Sequence, residues 1–151
     1  MIKTMKMKGP FRDKTVIITG SGSGIGRKLA LALAARGASV VLNGRNAEKL
    51  DRVLAEVKQV NPRALAVQAD VSISDECRFL VSKAMDAFGK IDAVVCNAGE
   101  GMRGSFESLT PMVFRRMIAS NLLASAYMAH AALPEVKRNK GSIVFVSSGA
   151  G

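Results

Sequence analysis

The sequence predicts a doubly wound α/β fold, a parallel sheet with helices on both faces. Three observations lead there. Short runs rich in Val, Ile, Leu and Ala recur without polar alternation, as expected of strands buried on both faces. Stretches of helical periodicity lie between them, and strands alternating with amphipathic helices specify a parallel sheet with right-handed crossovers. The polar and glycine-rich landmarks all fall directly after a strand, at the carboxyl ends where open α/β sheets bind their ligands. Composition agrees: 48% of the residues are hydrophobic but only 5% are aromatic and none is Trp, so the core is built from aliphatic side chains and Met. A length of 151 residues suits one domain with a sizeable core.

Residues 1–13 read as a basic tail ended by Gly9-Pro10, and the domain begins at residue 14. The first strand is Thr15 to Thr19. A helix follows from about Gly24 to Arg36, apolar nearly all round and therefore heavily covered, and Gly37 ends it. Ser39 to Leu42 is the second strand. Asn46 caps a second helix in which Leu50, Val53, Leu54 and Val57 share one face, and Pro62 stops it. Ala64 to Ala69 is strand three. Ser72 or Ser74 caps a third helix that carries Leu80, Val81, Ala84, Met85 and Phe88 inward and ends at Gly89. Ile91 to Cys96 is strand four. A Gly- and Ser-rich loop from Glu100 to Ser108 precedes Thr110-Pro111, an N-cap with Pro at the first helical position, which opens a long helix past Asn121 toward Pro134. Strand five is Ser142 to Val146.

The stretch Thr19 to Gly26, T-G-S-G-S-G-I-G, organises the rest. A strand turning sharply into a helix needs residues without a Cβ, and the helix then aims its unpaired N–H groups and dipole at whatever lies over the turn. Pyrophosphate is the ligand this favours, so the turn reads as a dinucleotide site.

The net charge of +10 raises the question of nucleic acid. Its distribution argues against that partner: Lys3, Lys6, Lys8, Arg12 and Lys14 crowd the N-terminus, Lys137, Arg138 and Lys140 crowd a late turn, and the remainder alternate with acids on helix faces. No basic stripe with interleaved aromatics offers bases a stacking platform. Cys77 and Cys96 have no metal-like spacing, so no metal site is expected, and nothing favours a disulfide between them. The N-terminus lacks the apolar segment of a signal peptide, and Asn121 to Pro134 is too short to span a membrane. The expectation is a cytoplasmic protein with neither membrane nor nucleic acid as partner.

Taken together, the T-G-x-x-x-G-I-G turn, Asp70-Val71, Asn97-Ala98-Gly99, the lone Asn121 in the long helix and the Ser-Ser pair after strand five resemble the short-chain dehydrogenase/reductase family. The resemblance runs from residue 15 to the end in the family's order. It implies a Rossmann fold with five strands present and the family's C-terminal strands and helices missing, so that 14–151 is an incomplete NAD(P)-binding domain. It implies that Gly20, Ser21, Ser23, Gly24, Ile25 and Gly26 line the cofactor's pyrophosphate, that Asp70 and Val71 meet the adenine, and that Asn97, Ala98 and Gly99 lie beside a ribose. Each has a structural alternative: a plain turn for the glycines, a helix cap for Asp70, a sheet-stabilising role for Asn97. At the end of strand two an NAD site of this type carries an acid, whereas an NADP site brings an Arg to the 2′-phosphate. This chain has Gly44 then Arg45, which favours NADP over NAD, although Ser23 stands where many NADP-preferring members carry a basic residue.

For the chemistry, the resemblance assigns Ser148 to the substrate oxygen and Asn121 to a water-linked proton path. As structural alternatives, Ser148 could start a turn and Asn121 could cap or bend its helix. The family's acid/base, a Tyr-x-x-x-Lys turn, is not in this sequence. Tyr127 is the only tyrosine, has Ala131 where the Lys is needed, and precedes Ser148. The chain is therefore expected to be the first part of a longer NADP-dependent oxidoreductase, inactive by itself and a homo-oligomer when complete, acting on a carbonyl or alcohol. The alternative is an NADP(H)-binding protein without catalysis. An apolar fifth strand at the sheet edge implies poor solubility for these residues alone.

Overall fold

The computed structural model describes residues 9–102 and 104–148, and the basic tail at 1–8 lies outside them. Twelve elements follow in order: β1 (Thr15–Ile18), α1 (Gly24–Ala35), β2 (Ser39–Gly44), α2 (Ala47–Val60), β3 (Ala64–Gln68), α3 (Ser74–Phe88), β4 (Ala93–Cys96), a 3₁₀ turn (Phe106–Ser108), α4 (Pro111–Ile118), a π-helical segment (Ala119–Leu123), α5 (Ala124–Arg138) and β5 (Ser142–Phe145). The five strands form one parallel sheet in the order β3-β2-β1-β4-β5. The chain thus starts in the middle of the sheet, builds outward to β3, then crosses back to place β4 on the other side of β1. That reversal opens a crevice at the carboxyl end of β1.

Side-chain alternation along each strand feeds two cores. Val16, Ile18, Val40, Leu42 and Val95 face α1 and α2, where Ala30, Leu33, Leu50, Val53 and Val57 meet them. Ile17, Val41, Val67, Val94 and Cys96 face α3 and α5, against Leu80, Ala84, Met128 and Val136. Burial of one such Ile or Leu is worth about 1.5–3 kcal/mol. Asp92 anchors the opposite end of the sheet: its carboxylate accepts from the Thr15 N–H at 2.9 Å and pairs with Lys14 at 3.0 Å and Lys90 at 3.1 Å. Burial acts to raise its pKa, but those three donors outweigh it and hold the carboxyl below its ordinary value.

Several expected details change. The cap of α3 is Ile73, and no side chain caps it; Ser72 instead donates to Asp70, and Glu76 in the first turn reaches back to the Asp70 N–H. The helix expected to run toward Pro134 runs through it to Arg138. Ala124, Met128, Ala132 and Val136 form a buried stripe at four-residue spacing, and this packing outweighs the roughly 3 kcal/mol that a mid-helix Pro costs. The long helix is also interrupted by the π segment around Asn121. At the sheet edge, β5 leaves Val144 and Phe145 exposed, with Val146 beyond it, and Val144 and Val146 help line a groove of about 500 Å³ with Phe11, Leu29, Leu33 and Val95.

Candidate cofactor site

Gly20 and Gly24 both adopt left-handed backbone, with φ of 65° and 56°. At Gly26 the constraint is space: a Cβ there would lie 2.5 Å from the Gly20 carbonyl oxygen and 2.7 Å from the Asn97 amide nitrogen. Ser23 stands at the N-cap in extended conformation but makes no side-chain cap bond. The first intrahelical donor is the Arg27 N–H, bonded to the Ser23 carbonyl at 3.1 Å. The N–H groups of Gly24, Ile25 and Gly26 therefore precede any intrahelical acceptor and are offered to whatever covers the turn. Ile25 stands out beside them, 67% exposed. Ser21 turns the other way: its buried hydroxyl accepts from the Asn43 N–H at 2.9 Å and donates to the Asn43 carbonyl at 3.3 Å, locking the turn to β2.

Thr19, just past β1, ties the two halves of the site together at the end of β4. Its hydroxyl oxygen accepts from the N–H groups of Asn97 and Ala98, each at 2.9 Å. The Asn97 side-chain amide donates to the carbonyls of Thr19 at 3.0 Å and Gly20 at 3.3 Å, so this side chain buttresses the glycine turn. At the end of β3, the Asp70 carboxylate accepts from the Ser72 N–H at 3.0 Å and hydroxyl at 2.7 Å. Gly20, Gly44, Arg45, Asp70, Val71, Ala98 and Gly99 surround a cleft of about 110 Å³ at the sheet's carboxyl edge.

The far wall depends on Glu100, which sequence reasoning left in a loop. Its carboxylate is gripped by Arg116 in two-point fashion, one bond 2.7 Å long, and by the Ser120 hydroxyl at 2.6 Å. These donors hold its pKa down at about 2. Arg45, exposed at the end of β2, approaches the same carboxylate at 3.7 Å. Asn121, in the π segment, binds the backbone of this loop: its Oδ1 accepts from the Glu100 N–H at 3.0 Å and its amide donates to the carbonyls of Glu100 and Met117. Ser148 lies exposed just past β5, whose Phe145 pairs with Cys96, so it is at the same end of the sheet as Asn97.

Besides Glu100, the tying roles of Thr19, which opens the glycine stretch, and of Asn43, next to Gly44 and Arg45, were not assigned from the sequence. Asn43 is buried in β2 and donates to the carbonyls of Val67 and Ala69, while its Oδ1, in a residue lining the cleft, has no hydrogen-bond partner among the described residues. A polar residue ending an otherwise apolar strand was the available signal for both. A single acid directly after Asn-Ala-Gly was the signal for Glu100.

A glycine turn with no room for a Cβ at Gly20 or Gly26, three helix N–H groups without intrahelical acceptors and a cleft at the sheet's carboxyl edge fit a dinucleotide. These features define a nucleotide-binding α/β protein with its site at the topological switch point. The chain belongs to the short-chain dehydrogenase family, which it matches over residues 14–151. It is 37% identical to 11-beta-hydroxysteroid dehydrogenase 1A of Arabidopsis thaliana over 139 residues, 91% of this chain and 40% of that protein. It is 35% identical to 7alpha-hydroxysteroid dehydrogenase of Escherichia coli K12 over 132 residues, 87% of this chain and 51% of that protein. A solved short-chain dehydrogenase/reductase from Brucella melitensis, described as glucose/ribitol dehydrogenase, superimposes with a TM-score of 0.88 at 35% identity, covering 95% of this chain and 60% of that one. The chain thus spans about half the length of the curated relatives it matches. Members of the family are NAD(P)-dependent oxidoreductases.

Proposed function

We propose that this chain is the cofactor-binding part of an NADP-dependent oxidoreductase that passes hydride between nicotinamide and a carbonyl or alcohol carbon. The observation that carries the NADP preference is the end of β2, where Gly44 takes the place of an acid and Arg45 lies on the cleft wall. A planar guanidinium matches a phosphate through paired hydrogen bonds. The N–H groups of Gly24 to Gly26 would hold the pyrophosphate. Asp70 and Val71 would flank the adenine, and Asn97 to Gly99 a ribose. Bound nicotinamide supplies the hydride chemistry. Ser148 would hold the substrate oxygen as its charge changes, and Asn121, fixed against Glu100, would organise the proton path. Assembly into homo-oligomers fits the apolar outer side of α4 and the π segment, where Met112, Ile118 and Leu122 are exposed. Among the described residues no helix is long and apolar enough to cross a membrane, and a cytoplasmic location goes with the proposal.

Titration with NADPH and NADH, followed by the rise in nicotinamide fluorescence, tests the preference. Arg45→Gln is expected to weaken NADPH binding about tenfold or more while leaving NADH within about twofold, the size expected for losing a charge-assisted phosphate contact. Equal affinity of the unaltered protein for both cofactors sinks the NADP assignment. A second reading is NADP(H) binding without catalysis: Tyr127 packs against the core on α5 and is not among the residues lining the cleft. NADPH binding by the full-length protein with no turnover on any ketone or aldehyde selects it.

A further inference from the structure

In the sheet order β3-β2-β1-β4-β5, the strand between β2 and β4 is β1, whose carboxyl end carries the glycine turn. Arg45 follows β2 and Glu100 follows β4. An ion pair between them must therefore cross the end of β1, over the cleft. Arg45 itself lines that cleft, and Glu100 is flanked by two other lining residues, Gly99 in sequence and Ser120 by hydrogen bond.

The partners of Glu100 are unequal. Arg116 and Ser120 hold it at hydrogen-bond distance, whereas Arg45 stands at 3.7 Å, an ion-pair separation without a hydrogen bond. The Glu100 side chain is only 13% exposed and that of Arg45 is 61% exposed. The carboxylate is thus fixed and already neutralised by Arg116, and Arg45 is the loose end. Letting Arg45 go leaves no buried charge unpaired.

We propose that the Arg45–Glu100 pair is a strap across the cofactor cleft, opened when Arg45 exchanges the Glu100 carboxylate for the 2′-phosphate of the dinucleotide, and that Glu100 thereby sets how strongly the site favours 2′-phosphorylated cofactor. The inference rests on the NADP reading above. Glu100 acts in two ways: it competes with the phosphate for the same guanidinium, and its charge faces the incoming anion. Arg116 moderates both. The two arginines therefore have distinct tasks, Arg45 as the moving ligand and Arg116 as the fixed counter-charge. Cofactors without the 2′-phosphate give Arg45 no anion to exchange for Glu100, so the strap does not discriminate against them.

The test is calorimetric titration of the full-length protein with two probes, 2′,5′-ADP and 5′-AMP, which differ only in the phosphate at issue. Glu100→Gln keeps an oxygen for Arg116 and Ser120 but removes the charge. It is expected to tighten 2′,5′-ADP about threefold to tenfold and to leave 5′-AMP within about twofold, the scale of a partly solvated charge pair. Arg116→Gln frees the Glu100 charge and is expected to act with opposite sign, weakening 2′,5′-ADP about threefold with 5′-AMP unchanged. If Glu100→Gln shifts both probes alike, or neither, the inference is overturned. If that variant does not fold, Arg116→Gln decides: an unchanged ratio of the two affinities overturns it. Arg45→Gln separates the inference from the reading beneath it. A collapse of the 2′,5′-ADP preference in Arg45→Gln, without a shift in Glu100→Gln, leaves the NADP assignment standing and removes the strap. No effect of Arg45→Gln removes both.

Discussion

At Gly26 a single methyl group decides whether the turn can form, because the space it would fill already holds the Gly20 carbonyl and the Asn97 amide. Gly26→Ala is expected to lower stability by about 1–3 kcal/mol, read by urea unfolding, and to abolish dinucleotide binding at the same time. The glycines were legible in the sequence because their spacing is local. Glu100 was not, since its importance comes from Arg45, Arg116 and Ser120, brought to it only by folding. Its carboxyl, ordinarily near 4.5, is held at about 2 by Arg116 first and Ser120 second. A lowered folded-state pKa stabilises the protein above the unfolded value and loses that contribution as pH falls through the folded one. The stability difference between the unaltered protein and Glu100→Gln is therefore expected to be constant above about pH 4.5 and to shrink toward pH 2, as thermal melts across that range would record. The two thiols offer a further check. Burial raises Cys77 to about 12 and Cys96 to about 11, so both are expected to resist a disulfide reagent at pH 8 until denaturant is added.

Among the elements, those with strong periodicity were readable and those set by a distant partner were not. Asn46 caps α2 as its sequence suggests, accepting from the Lys49 N–H at 2.8 Å. Asn46→Ala is expected to cost about 1 kcal/mol in chemical unfolding. For α3 the serines misled, because Asp70 captures Ser72 and the helix starts one residue beyond Ile73. The π segment is the clearest case of what periodicity misses. One extra residue in the turn rotates α4 relative to α5 and brings Asn121 over the loop at Glu100. Asn121 was read as able to bend its helix, but nothing else in Ala119 to Leu123 points to a π turn. The helix was followed only toward Pro134, and packing of Ala132 and Val136 carries it through to Arg138.

For the molecule as a whole, the alternation of strand and helix was enough to give the parallel sheet, and the landmarks after each strand were enough to locate the cleft. The assignment of α1 and α2 to one face and α3 and α5 to the other follows from the strand order, which the sequence specifies only through distant pairings. The exposed edge at β5 and its apolar groove lead to a test of solubility: the 151-residue chain expressed by itself is expected to scatter light and bind ANS, and Phe145→Lys to reduce both. A monodisperse, cooperatively melting preparation without ANS binding would contradict this. The position of β1 between β2 and β4 also bears on time. Thr19 and Asn97, joined at the heart of the cleft, are 78 residues apart in the chain, whereas β1, β2 and β3 can pair in sequence as they emerge. Closing the long loop is the slow step for such a sheet, and until it closes there is no crevice to occupy. Added dinucleotide should therefore slow unfolding and leave the refolding rate unchanged, since the ligand meets the protein only after the barrier has been crossed.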